Sequence, residues 1–297
     1  MATVIEQYLY GKHGSETLDE DGLFIGRTFM AVVDGVTSKS TMNLWNPTPG
    51  VVAKNTVIET IATMDVETDT GVSAETFLHD DPEQDGTSEA AWGMRATQRR
   101  IDNALRARYR NHQTHSEQFF ATHPTEQLQA NAVIYSDAAH EIWLFGDCQA
   151  MINGQRIPSM KKVDELLSVL RSFVWQAYEL NGNQPANGTD PGRAAIMPFL
   201  RMQTTFANQH GEYGYFVFNG YTDPQYPIRT LHVDPGDDIV LASDGYPFLE
   251  PTLDQSERAL AELKASDPHL ISHFPTTKGF EPGLDSFDDR AYLRFTV

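Results

Sequence analysis

Several acidic residues stand where apolar runs stop. The run 29–33 (Phe-Met-Ala-Val-Val) ends in Asp34-Gly35, and 142–145 (Ile-Trp-Leu-Phe) ends in Gly146-Asp147. The run 239–242 (Ile-Val-Leu-Ala) ends in Ser243-Asp244-Gly245, and Asp288-Asp289 leads into the last apolar segment. A carboxylate at a strand end is held firmly, and a neighbouring Gly lets a ligand approach the backbone. Taken singly, each Asp-Gly pair reads as a turn. Taken together, four such carboxylates on separate strands can converge. Converging carboxylates repel unless cations sit among them. Hard oxygen donors at that density suit Mg or Mn better than zinc, which prefers Cys and His.

The rest of the chain must build a scaffold for these groups. It has 297 residues, of which 40% are hydrophobic, enough for a real core. With 22 basic and 41 acidic residues the net charge is −19. That charge disfavours nucleic acid and anionic membrane surfaces as partners, because both bind through Lys and Arg. The single cysteine, Cys148, excludes an internal disulfide and reads as a buried, inert thiol. The first ten residues lack the basic start and apolar stretch of a signal peptide. The longest apolar runs are about five residues, against the ~18 to 20 needed to span a bilayer. These features predict a cytoplasmic protein.

Short β-branched or aromatic runs bounded by Gly, Asp or Pro predict strands at 3–10, 23–33, 132–136, 141–145, 213–218, 228–233, 237–242 and 290–297. Between them, Val163, Leu166, Leu167, Leu170, Val174, Ala177 and Tyr178 follow the helical period. Met94, Thr97, Ile101, Leu105 and Tyr109 make a second stripe. Further helices are expected over 51–64 and from Thr252, with Gln255 three residues on as a capping box. Strands and helices without a βαβ rhythm predict an α+β fold with mainly antiparallel sheets. One domain is expected over 1–297, with surface insertions near 65–93 and 181–193. Alternation along the last strand puts Asp289 with Ala291, Leu293 and Phe295, and Asp34 with Met30 and Val32. That count selects Asp289 over Asp288 as the inward carboxylate.

In order and spacing these segments resemble the metal-dependent serine/threonine protein phosphatases of the type 2C (PPM) class. Glu20-Asp21 falls where that family has an early acidic pair. Residues 31–35 look like its first Asp-Gly motif, 143–147 its central Gly-Asp and 241–245 its late Ser-Asp-Gly. Residues 286–289 stand where it has a terminal Asp-Asn. The resemblance implies an α/β/β/α sandwich with a two-metal Mg or Mn centre between the sheets. Asp34 would bridge both ions, and Gly35 would give its backbone carbonyl. Glu20 would serve one ion directly or through water. Asp244 and Asp289 would hold the other, and Asp147 with Asp244 a third, weaker site. The implied reaction is attack of a metal-bound hydroxide on phosphoserine, phosphothreonine or a small phosphomonoester. Asp34, Asp244 and Asp289 are then the catalytic set.

Three positions depart from the family pattern. Val36 stands where a His assists the leaving group. No Arg precedes the acidic pair; Lys12 and His13 match that spacing poorly, so Lys39 is the candidate phosphate-binding group. Arg290 replaces the terminal Asn. These losses motivate an alternative reading, a non-catalytic phosphatase-like binding module. In a third reading, an acidic structural protein, the Asp-Gly pairs are only turns. Elsewhere, a calcium-loop pattern fails at Thr17 and Thr28. The pairs His112/His115 and His269/His273 lack a partner Glu, so they read as packing or surface residues. The Arg-rich helix carrying Arg95, Arg99, Arg100, Arg106, Arg108 and Arg110 reads as a solvated face.

Overall fold

The computed structural model describes residues 2–69, 93–183, 185 and 189–297. Among the described residues ten strands form two five-stranded, wholly antiparallel sheets. The first sheet orders β1 (Thr3–Tyr10), β10 (Arg290–Thr296), β9 (Asp238–Ala242), β6 (Gln149–Ile152) and β7 (Gln155–Ile157). The second orders β2 (Asp21–Ile25), β3 (Phe29–Gly35), β4 (Ala130–Ser136), β5 (Glu141–Phe145) and β8 (Arg229–His232). Alternation along the strands makes two cores. Met30, Val32, Val133 and Leu144 of the second sheet pack on Leu241, Ala291, Leu293 and Phe295 of the first. The alternate residues Phe29, Ala31, Val33, Ile134 and Trp143 face outward onto helices.

Those helices are α1 (Pro49–Asp69) and α2 (Met94–Arg110), the latter buried along Thr97, Ile101, Leu105 and Tyr109 as its period requires. On the other side α6 (Leu253–Ser266) contacts β1, and Leu253 packs with Tyr246, Leu249 and Tyr292. Thr252 caps α6 by accepting the Gln255 amide proton. The fold is therefore α+β, two antiparallel sheets flanked by helices. The short α3 (Glu117–Thr122) packs against α2. A remaining pair, α4 (Lys162–Leu180) and α5 (Pro191–Met202), packs together with Tyr215 and Val217. Among the described residues no helix is long and apolar enough to cross a membrane.

Several expectations need correction. The single strand 23–33 is a hairpin, because Gly26-Arg27-Thr28 turns the chain between β2 and β3. The turn is held by Asp65, whose carboxylate accepts the backbone N–H groups of Arg27, Thr28 and Phe29. Asp65 is thus part of α1, not of an irregular insertion; residues 70–92 of that expected insertion lie outside the described residues. The insertion near 181–193 also ends early, since Asp190 caps α5 and binds the buried Arg171. Segment 213–218 makes only isolated bridges at Tyr215 and Phe218. In α4 the buried line is Val163, Leu167, Arg171 and Trp175, while Leu166 is exposed. The α2 arginines pair with surface acids, Arg106 with Glu117 and Arg108 with Glu59.

Leu293 is fully buried between the sheets that carry the candidate site. Leu293→Ala should cost about 2–5 kcal/mol, measured by urea unfolding. The half-exposed Ile5 of β1 is the control, and Ile5→Ala should stay within about 1 kcal/mol.

Candidate active site

The sheets bring the acidic strand ends to one edge of the sandwich. Asp34 lies near the end of β3, Asp147 two residues past β5, Asp244 two residues past β9, and Asp288-Asp289 just before β10. With Glu20 and the Gly35 backbone they line a cavity of about 560 Å³. Asp21 opens β2 directly opposite Asp34 in the β2–β3 register. Like charges placed opposite each other on adjacent strands are destabilising. Burial and Asp34 push the Asp21 carboxyl far up, and its Oδ2 has no hydrogen-bond partner. Asp34 is pushed up to about 7, first by burial, then by Asp147 and Asp288. Asp244 lines the cavity with its side chain solvent-accessible; partial desolvation, then Asp34 and Asp288, push its carboxyl up.

Close backbone packing fixes this edge. A Cβ on Gly35 would stand 2.1 Å from the Gly50 carbonyl oxygen at the start of α1. Gly35 N–H donates to the Glu20 carbonyl at 2.8 Å. Glu20 itself is buried, and its two carboxylate oxygens accept the hydroxyls of Thr37 and Thr48. Asn131 sits across from Asp34 on β4 and points Nδ2 at its carboxylate, at 3.5 Å. Gly146, at φ +102°, has room only for hydrogen because Asn131 Oδ1 lies where a Cβ would go.

Asp288 and Asp289 divide the work differently from the strand count. Asp289 accepts the backbone N–H of Lys12 at 2.8 Å and of Glu20 at 3.1 Å. Its carboxylate thereby ties the N-terminal loop to β10. The Lys12 ammonium lies 2.9 Å from Asp288 and 3.4 Å from Asp289, and Lys278 pairs with Asp288. Burial would raise its pKa, but Lys278 and Lys12 hold the carboxyl well below the usual range. The apolar face of β10 points inward as expected. Asp289, one residue before β10, is buried and lines the cavity. Arg290 faces away from the cavity, pairing with Glu257 at 2.7 Å and covering the Tyr10 ring.

Three side chains missed by sequence reasoning complete the site. Lys161 binds Asp147 at 2.6 Å in a nearly buried pair, beneath the Tyr215 ring. Asp147 Oδ1 still lacks a partner. Lys278 and Asn131 are the other two. No motif marks any of them, because each reaches the site from a distant loop or strand. Val36 packs with the α4–α5 cluster, so its position supports packing and cannot donate a proton. Cys148 is buried, and burial followed by Asp34 pushes its thiol far up, as an inert thiol requires.

The donor chemistry fits hard divalent cations: buried carboxylate oxygens without partners, crowded by like charges. Among the described residues no three acidic, His or Cys groups already stand together at metal-ligand spacing.

No family model and no curated protein matches the chain. Solved structures are similar over almost its full length. One is the Mycobacterium tuberculosis serine/threonine phosphatase PstP/Ppp, with 14% identity, TM-score 0.44, and 98% of this chain and 97% of that one covered. Another is the PPM Ser-Thr phosphatase MsPP from Mycobacterium smegmatis in complex with cacodylate, with 12% identity, TM-score 0.44 and 99% of both chains. A third is the photosystem II phosphatase PBCP, with 15% identity, TM-score 0.46, and 100% and 99% covered. Likeness this distant carries no activity with it, which has to be read from the side chains.

The raised Asp34 carboxyl has a pH signature. Unfolded, it ionises near pH 4; folded, near 7. The folded state holds the extra proton between those values, so this group's stabilisation falls as pH rises from about 4 to about 7. Without divalent cations, wild type should lose stability relative to Asp34→Asn across that window. Urea unfolding of both proteins at pH 5 and pH 7.5 checks this; a pH-independent difference contradicts it.

Proposed function

We propose that the protein is a divalent-metal-dependent phosphatase acting on phosphoserine, phosphothreonine or a small phosphomonoester. One observation carries the reading. Asp34, Asp147, Asp244 and Asp288 line one cavity, Asp21 lies behind Asp34 on the neighbouring strand, and buried oxygens of Asp21 and Asp147 have no partner. Asp34, Asp244 and Asp288 are the residues proposed to hold two Mg or Mn ions, with the Gly35 carbonyl and Glu20 beside them. Asp147 with Asp244 is the proposed third, weaker site. Asp289 was the inward carboxylate by strand count; here it is proposed to act one step back, bracing Lys12 and Glu20 through their backbone N–H groups.

Bound there, such cations supply an activated water and stabilise charge on the phosphoryl oxygens. The chain's own part is positioning. Asn131 orients Asp34. Thr37 and Thr48 fix the Glu20 carboxylate. Gly35 and Gly50 allow the β3 end and the α1 start to meet without a side chain between them. Lys12 and Lys278 must leave Asp288 partly free when it takes a cation.

A second reading is a phosphatase-like binding module. The ammonium groups on Asp288 and Asp147 favour it, because they already neutralise two of the acids. Hydrolysis of p-nitrophenyl phosphate separates the two. Mn should support turnover, and a chelator should abolish it. Asp34→Asn should lower kcat/KM at least about 100-fold while the fold persists. No turnover with any divalent metal leaves the binding module.

A further inference from the structure

The cavity has a second wall of opposite sign. Arg193 of α5, Lys278 and Lys39 all line it together with Asp34, Asp244 and Asp288. Arg193 donates Nη1 to the Thr277 carbonyl at 2.6 Å, which places its guanidinium beside the residue that precedes Lys278. Lys39 folds back onto the Thr37 carbonyl. Arg193 and Lys39 thus meet neutral carbonyls in these bonds, and Asp190, which caps α5 beside Arg193, is engaged by Arg171. Burial, then Lys278 and Arg193, lowers the Lys39 ammonium to about 8. Three cations crowding one wall repel for the same reason that the acids opposite do. A dianion placed between them relieves both the repulsion and the lost hydration.

We propose that Arg193, Lys278 and Lys39 form a binding wall for a tetrahedral oxyanion, the phosphoryl group of the substrate or inorganic phosphate. The wall draws its cations from α5, the 276–279 loop and the loop after β3. Arg193 supplies a planar fork suited to two phosphoryl oxygens. Lys278, now on Asp288, is the hinge between the walls: a divalent cation on Asp288 frees its ammonium for the anion. The proposal rests on the phosphatase reading for its substrate, but phosphate binding can be measured without turnover.

The test is titration of the full chain with inorganic phosphate in saturating Mg, read by calorimetry and by phosphorus NMR. Arg193→Gln and Lys39→Gln should each weaken phosphate binding roughly tenfold or more. Arg193→Lys should restore part of the affinity. Mg affinity, measured separately, should stay within about twofold of wild type in these variants. Arg258→Gln, exposed on α6, should leave phosphate affinity unchanged. Wild-type phosphate affinity in both Arg193→Gln and Lys39→Gln would overturn the proposal, as would a wild type that binds no phosphate. If Arg193→Gln fails to fold, shown by its melting curve, Lys39→Gln alone decides. Phosphate binding that needs Arg193 in a chain without turnover would sink the enzymatic reading and leave the anion wall standing.

Discussion

Mutual repulsion among carboxylates is the constraint around which this molecule is arranged. Asp21 and Asp34 face each other across two strands, and Asp147, Asp244 and Asp288 reach the same edge. Asp21 and Asp147 are buried and Asp34 and Asp288 partly so, and each charge raises the cost of the next. A sandwich of this size could place neutral residues there at no loss to its core. Instead the β2–β3 and β3–β4 registers, the Gly35–Gly50 contact and the Asn131–Gly146 contact hold the acids together. Protons on the raised carboxyls, or positive charge among them, relieve that repulsion.

Two kinds of positive charge serve that need. Lysines do so at Asp288 and Asp147, where Lys12, Lys278 and Lys161 form close pairs. These pairs leave Asp21, Asp34 and Asp244 with raised, strained carboxyls. Divalent cations would serve the remainder, and Lys278 links the two arrangements because it belongs to both walls of the cavity. The same loop that carries Lys278 is anchored deep in the fold. Arg171, wholly buried, donates to the carbonyls of His269, Leu270 and Thr276 and pairs with Asp190 at the head of α5. One arginine thus fixes both α5, which bears Arg193, and the approach to Lys278.

Much of this was legible in the sequence, and the reasons differ by residue. Asp34, Asp147 and Asp244 follow long apolar runs, and period-two alternation turns such runs into strands with known inward faces. Glu20 stood out as one of an acidic pair, but its neighbour Asp21 is the one opposite Asp34; the register that reveals this is a tertiary fact. Asp289 was preferred over Asp288 by strand alternation; Asp289 is buried and lines the cavity, and Asp288 beside it lines the cavity too, held by lysines distant in sequence. Lys161, Lys278, Asn131 and Arg193 carried no pattern, since their roles arise from contacts between segments far apart in sequence. The turn at 26–28 was missed because its stabiliser, Asp65, lies nearly forty residues away.

The central claim, that this acidic edge is built to hold divalent cations, is tested most directly by calorimetric titration of the metal-free chain with Mn at pH 6. Binding should be saturable, should be strongly weakened by Asp34→Asn, and should release protons as the raised carboxyls ionise. The heat will then vary with the ionisation enthalpy of the buffer. Absence of saturable binding, or binding that Asp34→Asn leaves intact, would contradict the account.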